Sequence, residues 1–208
     1  MVETMDVRSQ ILHEATRLFA AQGFDGTSVQ QIADAVGIRK PSLLYHFASK
    51  DALRLSVLDA IMTHFNQVLP EVLLAAARDR RFDSVMESLS SFFLEDPDRA
   101  RLLVRELLDR PDDMKQRLRE FVRPWIQVVA DQLERAKGPG MVQKDVDTQA
   151  YAIQVLLAVV GSVALHDTLG AMLPEGAAKD DANRRAVGEL IRIARTSLYT
   201  GARGPQGT

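Results

Sequence analysis

Between Ile38 and Leu53 the chain reads IRKPSLLYHFASKDAL, which places three cations (Arg39, Lys40 and Lys50) around Pro41, Ser42 and the ring pair Tyr45 and His46. Cations so spaced suit a polyanion, because each Lys or Arg can neutralise one phosphate and release its counterion. Ser, Tyr and His add hydrogen bonds to phosphate oxygens or to base edges. Catalysis would need a different set. The chain holds no H-E-x-x-H, P-loop or G-x-S-x-G pattern, and its four histidines (His13, His46, His64 and His166) are scattered. Glu95, Asp96 and Asp98 bunch at a predicted helix end, where solvated loops commonly place carboxylates. With no cysteine, disulfides, thiolate nucleophiles and Cys-type zinc sites are excluded, and a reducing cytoplasm is the expected compartment. The expectation is a binding protein and not an enzyme, without metal or cofactor.

These side chains need short, fixed elements to position them. Val7, Ile11, Ala15, Leu18 and Phe19 recur at helical spacing and predict an amphipathic first helix that stops at GFDG, Gly23 to Gly26. A second helix opens at Thr27, where Thr27 and Gln30 have the spacing of a capping box, and closes at Gly37 after about ten residues. On a wheel of about 100° per residue, Leu43 and Phe47 of a third helix point inward. Pro41 and Tyr45 point the opposite way, and Arg39 lies nearer the packed side. The proline costs little there, because N–H groups of a first turn have no internal partner. His46 fits either a packed ring beside Phe47 or a DNA-facing one, and Ser42 fits either a phosphate contact or a local backbone bond. Two short helices joined by a glycine turn, the second presenting its first residues outward, form the helix-turn-helix plan, in which the second helix enters the major groove.

Residues 11–53, ILHEATRLFAAQGFDGTSVQQIADAVGIRKPSLLYHFASKDAL, resemble the DNA-binding region of the TetR family of bacterial transcriptional regulators. The shared pattern runs from A..LF...GF..TSV..IA...G into K.SL..HF.SK..L and covers about a quarter of the chain. The resemblance implies that Thr27 and Ser28 begin the second helix at a phosphate. It places Lys40, Pro41, Ser42, Tyr45 and His46 in the recognition helix, and Lys50 at the customary phosphate-binding position. At Leu44 many members carry a tyrosine whose hydroxyl binds a phosphate. Leucine cannot do so, Tyr45 offers a related role, and which of the two faces the groove is left open.

The chain has 208 residues, of which 46% are hydrophobic, so it can bury a real core. The segment TQAYAIQVLLAVVGSVALH, 19 uncharged residues between Asp147 and Asp167, is just long enough to span a bilayer. Gln149, Gln154, Ser162 and His166 interrupt it and no basic cluster flanks it, so a helix buried in a bundle is expected. The opening MVETMDVRSQ has acids where an export signal would have Lys or Arg. Helices are predicted near 50–68, 71–78, 82–94, 98–109, 112–136 (bent or broken by Pro124), 147–171 and 181–200, with Pro70, Pro97, Pro111, the GPG at Gly138 and the LPEG at Leu173 between them. The expected fold is all-α: an N-terminal three-helix unit over 1–50, a larger helical bundle over 51–200 and a loose tail over 201–208.

Charge makes a second module necessary. Residues 1–53 carry Arg8, Arg17, Arg39, Lys40 and Lys50 against Glu3, Asp6, Glu14, Asp25, Asp34 and Asp51, a net −1 where a strong DNA binder is basic. A two-fold homodimer reading two half-sites of a palindromic double-stranded operator meets that need. The helices near 147–171 and 181–200 are the expected interface, the latter through Val187, Leu190, Ile191, Ala194 and Leu198. The resemblance further implies a small-molecule effector site in the larger domain and, by default, repression. Met62, Phe65, Phe92, Phe93, Phe121, Trp125 and His166 are candidate walls suited to an apolar or aromatic effector with one polar handle. Taken singly, each of them fits plain core better than a ligand wall; it is the set that suits an effector. The alternatives are a helical lipid or small-molecule carrier of the same fold without DNA binding, and, further off, an all-α enzyme.

Overall fold

A computed structural model describes residues 5–79, 82–169, 172 and 179–200. Three short helices form the N-terminal head: α1 (Val7–Gly26), α2 (Val29–Val36) and α3 (Lys40–His46). The body comprises α4 (Lys50–Asp79), α5 (Phe82–Leu94), α6 (Pro97–Asp109), α7 (Pro111–Arg117), α8 (Arg123–Lys137), α9 (Thr148–Ala164), α10 (His166–Leu169) and α11 (Lys179–Leu198). No strand occurs among the described residues, only an isolated bridge between Val142 and Tyr199. The all-α fold is as expected. No helix among the described residues is long and apolar enough to cross a membrane.

Side-chain caps start the helices where the sequence supplies them. Asp6 Oδ1 accepts from Ser9 N at 2.6 Å, Ser49 Oγ from Ala52 N at 3.0 Å, and Asp147 Oδ1 from Ala150 N at 3.0 Å. The regular part of α1 breaks at Gly23, whose φ of 76° lies in the region that favours glycine. At α2 the capping box stands one residue later than predicted, between Ser28 and Gln31. Thr27 is not free to cap: its hydroxyl is buried and donates to Gly23 O at 2.8 Å and Leu18 O at 3.2 Å.

Two prolines behave differently. The helix predicted to stop at Pro70 runs on as α4 to Asp79. A mid-helix proline costs about 3 kcal/mol, and the strong helix formers that follow it, EVLLAAA from Glu71, favour continuation. Pro124 does divide its helix, through a π-helical turn at Leu118–Val122 in which Arg123 N donates to Leu118 O. The wider turn suits a ring that cannot donate and crowds the carbonyl four residues back.

One apolar cluster spans head and body. Ile11, Phe19, Ile32, Leu43 and Phe47 meet Leu53, Val57 and Leu58 of α4, and the cluster continues through Phe93, Leu102 and Met114 to Val159 and Ala194. Because α4 enters both parts, the predicted boundary at 50/51 falls at the start of a continuous helix. The tail at 201–208 and the LPEG segment lie outside the described residues.

Candidate nucleic-acid interface

The third helix has the placement its sequence predicts. Leu43 and Phe47 are buried, and Pro41 and Tyr45 are exposed on the opposite side. Tyr45 is 88% exposed while Leu44 is half-buried, so the tyrosine is the outward residue of that pair. The His46 ring is also exposed and meets the Tyr45 ring edge-on at 5.6 Å. Arg39, Lys40, Ser42 and Ser28 complete an exposed polar margin. Arg39 corrects the wheel: it is the N-cap of α3 in extended conformation (ψ 145°), so helical geometry does not govern its direction. An 88% exposed aromatic flanked by hydroxyls and cations can stack, bond phosphate oxygens and reach base edges.

Two residues expected at phosphates are turned inward. Thr27 is 1% exposed, with its hydroxyl spent on α1 carbonyls. Lys50 Nζ donates to Phe24 O at 2.8 Å and Thr27 O at 2.9 Å, and lies 4.1 Å from the centre of the Phe24 ring. Arg110 Cζ lies 4.5 Å from that ring and Arg54 Cζ 5.7 Å. Arg105 donates from Nε to Ala20 O at 2.8 Å and from Nη2 to Ala21 O at 3.2 Å. Behind this corner Arg54 donates to Glu106 at 2.5 Å and to Asp113 at 2.7 Å, with Arg54 and Glu106 both buried. Burial opposes the Arg54 charge, but the Asp113 and Glu106 carboxylates outweigh it and raise its pKa. The hydrogen bond from Arg54, with its charge, holds the Asp113 carboxyl below its ordinary value. No local pattern announces this corner, because the partners that meet there lie 23 to 86 residues apart along the chain.

In the body, four predicted wall residues come together. Phe65 meets Phe92 edge-on at 5.5 Å, Phe92 meets Phe93 at 5.0 Å, and Met62 belongs to the same buried cluster. His64, which the sequence reading does not include among the walls, meets Phe92 edge-on at 5.2 Å; its place beside Phe65 is the available signal. Phe121 and Trp125 pack half-buried against the cluster, and Trp125 Nε1 donates to Asn66 Oδ1 at 2.6 Å. His166 sits half-buried on α10. Ser90 Oγ is buried without a hydrogen-bond partner. A separate surface cleft of about 390 Å³ is lined by Arg8, Ser56, Asp59, Ala60, Thr63, His64 and Gln67. Among the described residues no group of three or more His, Asp or Glu is placed to hold a metal ion.

The apolar face expected to pair α11 with a second copy is used internally. Val187, Ala194 and Leu198 are buried, Leu190 and Ile191 pack against the core, and Tyr151 donates to Ala194 O at 2.7 Å to join α9 to α11. A helix this close to its own bundle turns its richest stripe inward. What stays exposed is Ile153 (50%) and Leu157 (54%) on α9, Leu165 (47%) after it, and Ile193 (51%) on α11.

Comparison with known proteins agrees with this arrangement. Residues 11–57 match the family model described as bacterial regulatory proteins, tetR family. The chain is 30% identical over 131 residues to the HTH-type transcriptional regulator TcmR of Streptomyces glaucescens, covering 55% of this chain and 58% of that protein. It is 44% identical over 55 residues to the HTH-type transcriptional regulator RutR of Escherichia coli K12, covering 26% of each. The matches thus span less than two thirds of the length of either relative. The structure of the ketosteroid transcriptional regulator KstR2 of Mycobacterium tuberculosis superposes with a TM-score of 0.74 at 18% identity, over 96% of this chain and 98% of that one, a likeness of fold. With the head matched in sequence and head and body matched in fold, residues 11–57 carry the head of the tetR family of bacterial regulatory proteins, and the chain as a whole shares the fold of solved transcriptional regulators.

Proposed function

We propose that this chain is a cytoplasmic, DNA-binding repressor that acts as a homodimer on a palindromic operator and is released by a small, largely apolar effector. The observation that carries the reading is the exposed edge of α3, Pro41 and the 88% exposed Tyr45, backed by buried Leu43 and Phe47. A large aromatic held so far into solvent on a rigid helix has no role in the fold. In this reading Tyr45, Pro41 and His46 meet base edges or sugars in the major groove, and Lys40, Arg39, Ser42 and Ser28 bond the flanking phosphates.

Pairing follows from charge and exposure together. The head carries a net −1, so one head gives weak binding, and two heads on one two-fold axis read half-sites about 34–36 Å apart. Ile153 and Leu157 of α9, with Leu165 and Ile193, supply an apolar strip to cover such an axis. The aromatic set of Phe65, Phe92 and Phe93 with the unpartnered Ser90 hydroxyl supports an apolar effector with one hydrogen-bonding group. Its binding would tilt α4 and change the separation of the heads.

Selection of bound duplexes from a random pool tests the reading. The expected result is a palindrome whose half-site centres lie about one helical turn, or a multiple, apart. Recovery of no preferred sequence would leave a carrier of the same fold as the better reading.

A further inference from the structure

We infer that Lys50 is a positioning residue, part of a cation clamp on Phe24 that fixes the angle of the reading head on the body, and not a phosphate ligand. The inference rests on the DNA-binding reading above and departs from the phosphate role implied by the family resemblance. An ammonium has three donors. Two of them point to Phe24 O at 2.8 Å and Thr27 O at 2.9 Å, and the charge sits 4.1 Å from the Phe24 ring centre. One donor at most is left for a phosphate, from a charge already shared between two carbonyls and a ring.

The carbonyls concerned are those of Phe24 near the end of α1 and of its C-cap Thr27, past the left-handed break at Gly23, where a helix C-terminus favours cations. Body residues use the same corner. Arg105 of α6 donates to Ala20 O and Ala21 O, and Arg110, just beyond α6, lies 4.5 Å from the Phe24 ring. The corner therefore joins the head to both α4 and α6 through one ring and a short run of carbonyls. A cation placed there sets where Tyr45 sits without touching DNA itself.

Salt dependence and head geometry separate the two roles. Removing a cation that neutralises one phosphate lowers the slope of log K against log salt by about 0.9, doubled in a dimer. Fluorescence anisotropy on the selected duplex should show Lys50→Met weakening binding at least tenfold with the slope unchanged. Phe24→Leu, which changes no charge, should do the same, and the double variant should be no weaker than the worse single one. Because the chain has no cysteine, Ala35→Cys on α2 and Gln116→Cys on α7, both exposed positions, take spin labels. Labelled protein diluted in unlabelled protein then reports the head-to-body distance without DNA. Both variants should shift or broaden that distance well below their melting temperatures. A slope reduced by about 0.9 per subunit in Lys50→Met, or a distance unmoved by both substitutions, overturns the inference. If the wild-type chain binds no duplex, the functional proposal fails, and the distance measurement still decides whether the clamp holds the head.

Discussion

Arg54→Met is predicted to be the most damaging single substitution at the junction of head and body. Arg54 is 4% exposed and Glu106 3%, joined by a 2.5 Å hydrogen bond. The second partner, Asp113, is half exposed, so solvent screens its share and the buried partner dominates. Removing the guanidinium strands the Glu106 carboxylate among apolar side chains, and breaking a buried pair in this way costs about 3–5 kcal/mol. Against a total stability of about 5–15 kcal/mol for a typical domain, that is a large fraction. Arg54 Nε has no hydrogen-bond partner, so the pair is an imperfect fit whose ionic character the fold does not require. Replacing both residues, Arg54→Met with Glu106→Leu, should therefore recover most of the loss. The assay is urea unfolding followed by circular dichroism at one fixed protein concentration, since association would shift the apparent stability. A single variant within about 1 kcal/mol of wild type, or a double variant as unstable as the single one, would refute the reasoning.

Gly37 has a φ of 78° and nothing within 4 Å of an added Cβ, so Gly37→Ala should cost only backbone strain, about 1–2 kcal/mol, read as a lowered melting temperature. Asp113 is held below its ordinary value of 3.8 by Arg54, so its contribution is present above that pH and fades as the pH falls through the lower, folded-state value. Urea midpoints of wild type and Asp113→Asn should accordingly differ by a constant amount at neutral pH and converge in acid. Leu157→Asp with Ile153→Asp places charge on the exposed α9 strip and should give a monomer in sedimentation velocity with its helical content intact. A dimer that survives both changes would place the two-fold interface elsewhere.

How much is legible in the sequence follows from which interactions are local. The head is readable because its spacing is its geometry: Leu43 and Phe47 lie four apart and point inward, and Pro41 and Tyr45 do the same outward. The glycine stops at Gly23 and Gly37 are readable because each adopts a positive φ that few other residues take. The capping box is misplaced by a single position, since Thr27–Gln30 and Ser28–Gln31 have equal spacing and only the burial of the Thr27 hydroxyl decides between them. Lys50 reads as a phosphate ligand because no one-dimensional pattern records that Phe24 folds back beneath it. The α11 stripe is plainly apolar, but periodicity cannot say whether such a face meets its own bundle or a second copy. Pro70 and Pro124 carry the same local signal, and only the surrounding helix tells continuation from a π-helical turn.

The central claim is that the exposed edge of α3 reads a nucleotide groove, and it is tested most directly by Lys40→Ala with Tyr45→Ala on the selected duplex. Both side chains are exposed and outside the apolar cluster, so melting temperature and oligomeric state should not change. With about 1–3 kcal/mol expected for each side chain removed from the DNA, affinity for the selected duplex should fall about 30-fold or more. Binding that stays within a factor of about two of wild type, with the fold intact, would contradict the account.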